Sequence, residues 1–146
     1  KTHSSTASEK YSREAADKCS QLDPRLTKET VPLFTRIHHC GSVLAEVFFA
    51  MMISRILYGS VPAPGTMVVF CILLATCSIG TPGLSWGTVM VSLGTLTGIL
   101  KFGDSGVALM FAVFALHDAF AAACNMTCDG AAVLFLTGYA KRHDMK

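Results

Sequence analysis

Charged residues are scarce over most of this chain. They make up 15% of its 146 residues. The charged residues within 37–140 are only Glu46, Arg55, Lys101, Asp104, Asp118 and Asp129. The rest of the composition agrees with this, because 51% of the residues are hydrophobic and the mean hydropathy is +0.48. Together these values predict a membrane protein with a polar head rather than an ordinary soluble domain.

Other absences narrow the functional class. The net charge is only +2, and the basic residues of the head alternate with acidic ones, which argues against a nucleic-acid partner. No Ser/His/Asp arrangement is recognisable, so we do not expect an enzyme. The chain shows neither an initiator Met nor a signal peptide, so we expect that it is entered partway.

The six cysteines lack CxxC spacing and lie mostly inside apolar runs. This pattern favours small buried hydrophobic residues over a disulfide framework or a zinc site. Cys124 and Cys128 are one helical turn apart, which leaves a soft-metal pair as the alternative.

Two segments open the chain. Residues 1–30 form the polar head. Apolar residues recur at helical spacing over residues 31–58, with Glu46 off the main stripe, and this predicts one amphipathic transmembrane helix. Glycine and proline from residue 59 onward predict a turn after it.

Residues 64–101 contain two short apolar runs separated by the loop SIGTPGLSWG at 78–87. Each run is shorter than the roughly 20 helical residues that cross a bilayer. Irregular backbone persists at membrane depth only inside protein or beside water, so we expect a re-entrant hairpin whose loop can contact ions and solute. The alternative is a soluble domain with two short buried helices.

Residues 107–140 predict a final transmembrane helix, and the basic tail 141–146 favours a cytoplasmic C-terminus. Within this helix Asp118, Asn125 and Asp129 are seven and four residues apart, so they follow one face. Carboxylates are costly in a membrane, and oxygen donors suit hard cations such as Na+. The alternative is that each polar group bonds to a neighbouring helix.

Two motifs, SIGTPG at 78–83 and NMTCD at 125–129, carry a family resemblance. They resemble the dicarboxylate/amino acid:cation symporters, the glutamate transporter family. The C-terminal half of that family has a serine-rich first re-entrant hairpin, a seventh helix with an NMDGT motif, a second hairpin with SIGT at its tip, and an eighth helix with an NxTGD-like motif. The order and spacing match over nearly the whole chain. The resemblance implies an all-α membrane protein, with re-entrant hairpins and transmembrane helices forming part of an elevator-type transport domain.

The resemblance also implies roles for individual residues. Residues 1–30 would be the remainder of the first re-entrant hairpin, and its serine-rich tip meets the solute carboxylate. An aspartate pairs with an amino group, and the second hairpin gates the site and supplies carbonyls to sodium. The implied solute contacts are Ser4, Ser5, Thr6, Ser42, Gly83, Asp118 and Asn125. The implied cation ligands are Ser78, Ile79, Thr81, Asn125 and Asp129, with Na+ at the last two.

Three departures from the family pattern affect these roles. His38-His39-Cys40-Gly41-Ser42 stands where the family has NMDGT, so an amide and a carboxylate that bind sodium are replaced. Ala121 stands where members with acidic substrates carry an arginine. Arg36 falls near a sodium-binding threonine of the family, and its guanidinium is a candidate replacement for a sodium ion or for that arginine. Snorkelling to the interface is the alternative.

Two further interpretations concern the histidines. His38, His39 and Cys40 are adjacent, so on a helix they point in different directions and cannot chelate one metal alone. His117, beside Asp118, is a candidate proton carrier, and simple packing is the alternative.

The sequence therefore predicts the solute-binding C-terminal half of a secondary active symporter of small amino acids or dicarboxylates. We expect Na+ or H+ as the coupling ion and no other cofactor. Expected partners are the small-molecule solute, membrane lipid, N-terminal scaffold helices that are absent here, and two further copies in a homotrimer. The alternative is a non-transporting accessory, degenerate or split membrane subunit, favoured by the altered NMDGT motif.

Overall fold

In the computed structural model the described residues are 5–81 and 87–143, and the side chains of Ser5 and Thr6 are not among them. These residues form helices and no strand, so the predicted all-α class is confirmed. The helices are α1 (Ser5–Asp17), α2 (Pro24–Ile37), α3 (Cys40–Tyr58), α4 (Pro64–Ile79), α5 (Gly87–Gly98) and α6 (Asp104–Arg142).

The head contains α1 and the start of α2. α1 ends at Asp17, and two tight turns follow, in which Cys19 N donates to Ala16 O at 3.0 Å and Leu22 N to Cys19 O at 3.2 Å. α2 then begins at Pro24, where the missing N–H of proline costs nothing. Its N-cap is Asp23, which accepts a hydrogen bond from Arg25 N at 2.8 Å.

The single helix predicted over residues 31–58 is interrupted in the structure. α2 ends at Ile37, His38 and His39 have non-helical dihedral angles, and α3 begins at Cys40. His38 N still bonds to Phe34 O at 2.8 Å, and Val43 N bonds to His39 O at 2.9 Å. The break is therefore confined to two residues, which we call the helix break. Contacts from α4 and α6, described below, explain why it forms.

α4 and α5 form a helical hairpin within residues 64–101. They contain 16 and 12 residues, so they are about 24 Å and 18 Å long, and neither crosses about 30 Å of hydrocarbon. They pack against each other and against α3, and α5 also contacts α6. Residues 82–86 of the predicted loop lie outside the described residues.

α6 packs along α3 in the antiparallel sense. Gly41 at the start of α3 lies beside Cys124, and the Phe49 ring, two turns on, contacts the His117 ring with centroids 5.1 Å apart. The buried core between these helices and the hairpin is apolar. It includes Ala50, Ile53, Phe70, Leu74, Leu96, Met110 and Phe114.

Among the described residues, two segments are long and apolar enough to cross a membrane. They are Pro24–Tyr58, which contains an 18-residue stretch with mean hydropathy 1.7, and Asp104–Arg142, which contains one with mean hydropathy 1.9. The outer surface of the helices is also strongly apolar, with Leu44 71% exposed, Leu116 83% and Phe135 73%. Exposed apolar area of this extent suits lipid or a protein partner rather than water.

Candidate functional site

The helix break is where the polar residues of three helices meet. α6 brings Asn125 and Asp129 to it, and the last turn of α4 brings Ser78. All three residues are buried, with residue exposures of 2%, 1% and 6%. Since buried polar groups need partners, their hydrogen bonds determine what this region can bind.

Asn125 caps the first turn of α3 from a different helix. Its Oδ1 accepts hydrogen bonds from Gly41 N at 2.7 Å and from Ser42 N at 3.2 Å, and its Nδ2 donates to Ser42 Oγ at 3.0 Å. First-turn N–H groups have no partner within their own helix, and the N-cap His39 makes no side-chain capping bond. Asn125 supplies the oxygen that a capping side chain would otherwise provide.

Asp129 lies one turn further along α6, facing His38. The His38 Nδ1 to Asp129 Oδ1 distance is 2.7 Å. The carboxylate is almost completely buried, whereas the His38 side chain is 36% exposed. His38 is thus the direct partner of the carboxylate that the sequence predicts to bind sodium.

His39 faces the other side of the break and contacts the end of α4. Its Nδ1 lies 3.1 Å from Ser78 O, the carbonyl oxygen that also accepts a hydrogen bond from Thr81 N at 3.1 Å. A carbonyl can only accept, so His39 Nδ1 carries the hydrogen. The two histidines therefore connect the break to α6 on one side and to the hairpin on the other.

The remaining predicted site residues are placed as follows. Asp118 is buried in α6, two turns before Asn125. Thr81 is buried, and its hydroxyl bonds to Cys77 O at 3.0 Å, while the side chain of Ile79 is 63% exposed. Four predictions fall outside the described residues or side chains: Ser4, Ser5, Thr6 and Gly83.

A cavity of about 550 Å³ between α1, α2 and α6 reaches this region. Its walls are mainly apolar and include Tyr11, Ala15, Val31 and Val133, with Asp129 among the lining residues. Ser12 also lines it and donates a hydrogen bond to Met126 Sδ at 2.7 Å. Among the described residues, Asp129 Oδ2 has no hydrogen-bond partner.

Sequence reasoning missed a second polar contact in the core. Glu46 of α3 is completely buried and accepts a hydrogen bond from Ser92 Oγ of α5, which is also fully buried. Thr88, one turn earlier on α5, is buried on the same face. The sequence signal was present, because the argument that a charged residue is costly inside an apolar run applies to Glu46 as much as to Asp118.

Removing the Ser92 hydroxyl tests this contact. We expect Ser92→Ala to lower the free energy of unfolding of the detergent-purified protein by about 1–3 kcal/mol, because the buried Glu46 carboxyl loses the Ser92 hydroxyl as a donor. Ser105→Ala, at an exposed position in the first turn of α6, is the matched control and should change the stability by less than about 0.5 kcal/mol. Equal melting temperatures for the two variants would show that the contact contributes nothing.

Three other sequence hypotheses can be compared with their surroundings. Arg36 is exposed in the last turn of α2, and it forms no ion pair with the described residues. The His117 ring packs between Phe49 and Phe120, with centroids 5.1 Å and 5.5 Å away. Ala121 is 1% exposed, and its backbone carbonyl oxygen lies close to Gly41 at the start of α3. Within the described part of the chain, no three His, Cys, Asp or Glu residues are grouped to hold a metal.

Comparison with known proteins adds one finding. The sequence model of the sodium:dicarboxylate symporter family matches residues 1–138. This range includes every helix up to the last turn of α6, and with it the helix break and all the polar residues described above. No curated protein sequence matches the chain.

Proposed function

The chain belongs to the sodium:dicarboxylate symporter family, and from that premise we propose that it forms the solute-binding part of a secondary active symporter in a cell membrane. The transported solute is a small amino acid or a dicarboxylate, and the coupling ion is Na+ or H+. One observation carries the proposal. The membrane-length segment Pro24–Tyr58 is interrupted at the helix break, and there it contacts the buried carboxyl group of Asp129 and the buried amide of Asn125 on α6. Interrupted helices of this kind bind solute and ions in secondary transporters.

The solute site is proposed to lie between the two hairpin tips, α3 and α6. Asp118 pairs with an amino group of the solute, and Ser42 from the first turn of α3 and Asn125 from α6 position the solute. The tip residues Ser4 and Gly83, together with Ser5 and Thr6, complete the site. Ala121 cannot bind a side-chain carboxylate of the solute as an arginine would. This favours a small neutral amino acid among the possible solutes.

The sodium ligands proposed from the family pattern fit a sodium ion poorly. Asn125 Oδ1 and Ser78 O each accept two hydrogen bonds, and Asp129 Oδ1 accepts one from His38. Hard cations such as Ca²⁺ and Mg²⁺ are held by about six or more oxygen ligands. Asp129 Oδ2 has no hydrogen-bond partner among the described residues, so it is one oxygen of this set that a cation could contact.

The larger arrangement follows the family. We propose that residues 64–101 act as the second re-entrant hairpin and gate the site, and that the transport unit slides against scaffold helices by an elevator mechanism. The complete protein is proposed to be a homotrimer. The basic residues Lys141 and Arg142 in the last turn of α6 favour a cytoplasmic C-terminus.

Asp118→Asn tests the solute site. In a thermal-shift panel of amino acids and dicarboxylates on the full-length purified protein, one solute class should stabilise the wild type by about 2.7 kcal/mol at a hundredfold excess over Kd. Loss of the carboxylate should weaken binding of an amino acid at least about tenfold, or about 1.4 kcal/mol. Asp104→Asn, an exposed position in the first turn of α6, is the matched control.

Two results would count against the proposal. If no amino acid or dicarboxylate stabilises the wild type, the chain does not bind solutes of this class. If Asp118→Asn and Asp104→Asn bind an amino acid equally well, the amino group is held by another residue.

A further inference from the structure

The two histidines of the helix break each contact an oxygen that the family resemblance predicts to bind sodium. His38 Nδ1 is 2.7 Å from Asp129 Oδ1, and His39 Nδ1 is 3.1 Å from Ser78 O. Both oxygens belong to the predicted sodium ligands, one on α6 and the other at the end of α4. We propose that the N–H groups of His38 and His39 replace bound sodium in this chain, so that solute binding does not require sodium. This inference rests on the proposed function.

The hydrogen-bond roles follow from the acceptors. A backbone carbonyl has no hydrogen to donate, so His39 Nδ1 carries the hydrogen in the contact with Ser78 O, and His38 Nδ1 carries it in the contact with Asp129 when that carboxyl group is ionised. Each N–H points its positive end at the oxygen, as a cation would. Burial makes such a partner necessary, because the Asp129 side chain is 2% exposed and a buried carboxylate without a partner is strongly destabilising.

The remaining lone pairs are largely used as well. Ser78 O accepts from His39 Nδ1 and from Thr81 N, and Asn125 Oδ1 accepts from Gly41 N and Ser42 N. A carbonyl-type oxygen has two lone pairs, so these two oxygens have none left for a metal ion. A sodium ion bound to these oxygens would have to displace N–H groups that are already paired. Asp129 Oδ2 has no partner among the described residues, but a single oxygen is far fewer than the roughly six ligands that a hard cation takes.

The backbone at the break places the two rings on opposite sides. His38 has φ −103° and ψ 102°, an extended conformation, and His39 has φ −117° and ψ 38°. Successive side chains of extended backbone point in opposite directions, so one ring reaches α6 while the next reaches α4. Arg36, the other candidate substitute for sodium, is exposed on α2, so the contact with Asp129 belongs to His38.

The experiment compares NaCl with choline chloride at equal ionic strength, using the full-length purified protein. Without solute, the wild-type melting temperature should be the same in both salts. With the stabilising solute from the panel, the apparent Kd should differ by less than about twofold between the salts. Sodium-dependent stabilisation of the wild type without solute, or binding that is at least about tenfold weaker in choline, would overturn the inference.

A gain-of-function variant provides the second test. The double replacement His38→Asn with Cys40→Asp restores the amide and the carboxylate of the family motif and should make the melting temperature rise with sodium. His143 lies beyond the end of α6 and against the Tyr139 ring, so His143→Asn is the control. Its melting temperature should be the same in NaCl and in choline chloride. If the double variant folds and still ignores sodium, His38 is not what excludes the ion.

The two readouts separate this inference from the proposed function. A wild type that binds a solute only in sodium refutes the histidine substitution and leaves the symporter proposal intact. A wild type that binds no solute in either salt refutes the proposed function, while the solute-free comparison of the two salts still decides whether the histidines exclude sodium.

Discussion

Replacing Gly41 with alanine is expected to destabilise the protein by about 3 kcal/mol or more, the upper range for overpacking a close helix contact. A Cβ at this position would lie 2.5 Å from Cys124 Cβ and 2.7 Å from Ala121 O. Neither atom is the end of a flexible side chain, so α3 would have to move away from α6. The same movement would lengthen the 2.7 Å hydrogen bond from Gly41 N to Asn125 Oδ1.

Thermal unfolding of the purified protein in detergent measures this effect. Gly130→Ala is the matched control, because a Cβ at that position in α6 meets nothing within 4 Å. Alanine exceeds glycine in helix propensity by about 0.8–1 kcal/mol, so the control should be slightly more stable than the wild type. If both variants melt above the wild type, the close approach of α3 to α6 at Gly41 is not required.

Long apolar runs made much of the helical framework predictable. The predicted final helix over residues 107–140 corresponds to α6, Asp104–Arg142. The two half-length runs within residues 64–101 correspond to α4 and α5. The helix extents agree with the runs because apolar length and the positions of glycine and proline are local properties of the sequence.

The helix break could not be predicted from periodicity. Apolar residues recur at helical spacing on both sides of His38 and His39, so the local pattern favours continuing the helix. What stabilises the break is tertiary: Asn125, Asp129 and Ser78 come from distant parts of the chain and bond to the groups that the break leaves available. A sequence pattern contains no information about which side chain of another helix will cap it.

The polar residues of α6 were found for the right physical reason, but their partners were not. Burial cost indicated Asp129 and Asn125 as groups that need partners. Between a cation site and bonds to a neighbouring helix, the sequence left both possibilities open. Asn125 is bonded to α3, and Asp129 is bonded to a histidine that sequence reasoning treated mainly as a lost sodium ligand.

Replacing Asn125 with alanine is the second change from which we expect a large effect. It removes the acceptor of Gly41 N and Ser42 N and the donor to Ser42 Oγ. Each buried N–H left without a partner costs about 1–3 kcal/mol, so we expect the variant to lose about 2–5 kcal/mol of unfolding free energy. The loss should be concentrated at the first turn of α3, where the cap is missing.

Hydrogen exchange measured by mass spectrometry on the solute-free protein locates this effect. Amides at residues 41–43 should exchange faster in Asn125→Ala, whereas those in the middle of α3 should change little. Thr127→Ala is the control, because Thr127 is exposed and its hydroxyl bonds to Ala123 O within α6. Asn125→Asp keeps an acceptor oxygen and should protect these amides better than alanine does.

The same measurement separates a cap from a solute ligand. A residue that served only the solute would leave the solute-free protein unchanged when replaced. If exchange at residues 41–43 and the melting temperature of Asn125→Ala both match those of Thr127→Ala, Asn125 does not hold α3 in place. Faster exchange confined to the first turn would instead show that Asn125 caps α3. Together with the solute contact proposed above, one side chain would then serve both the solute and the start of the helix.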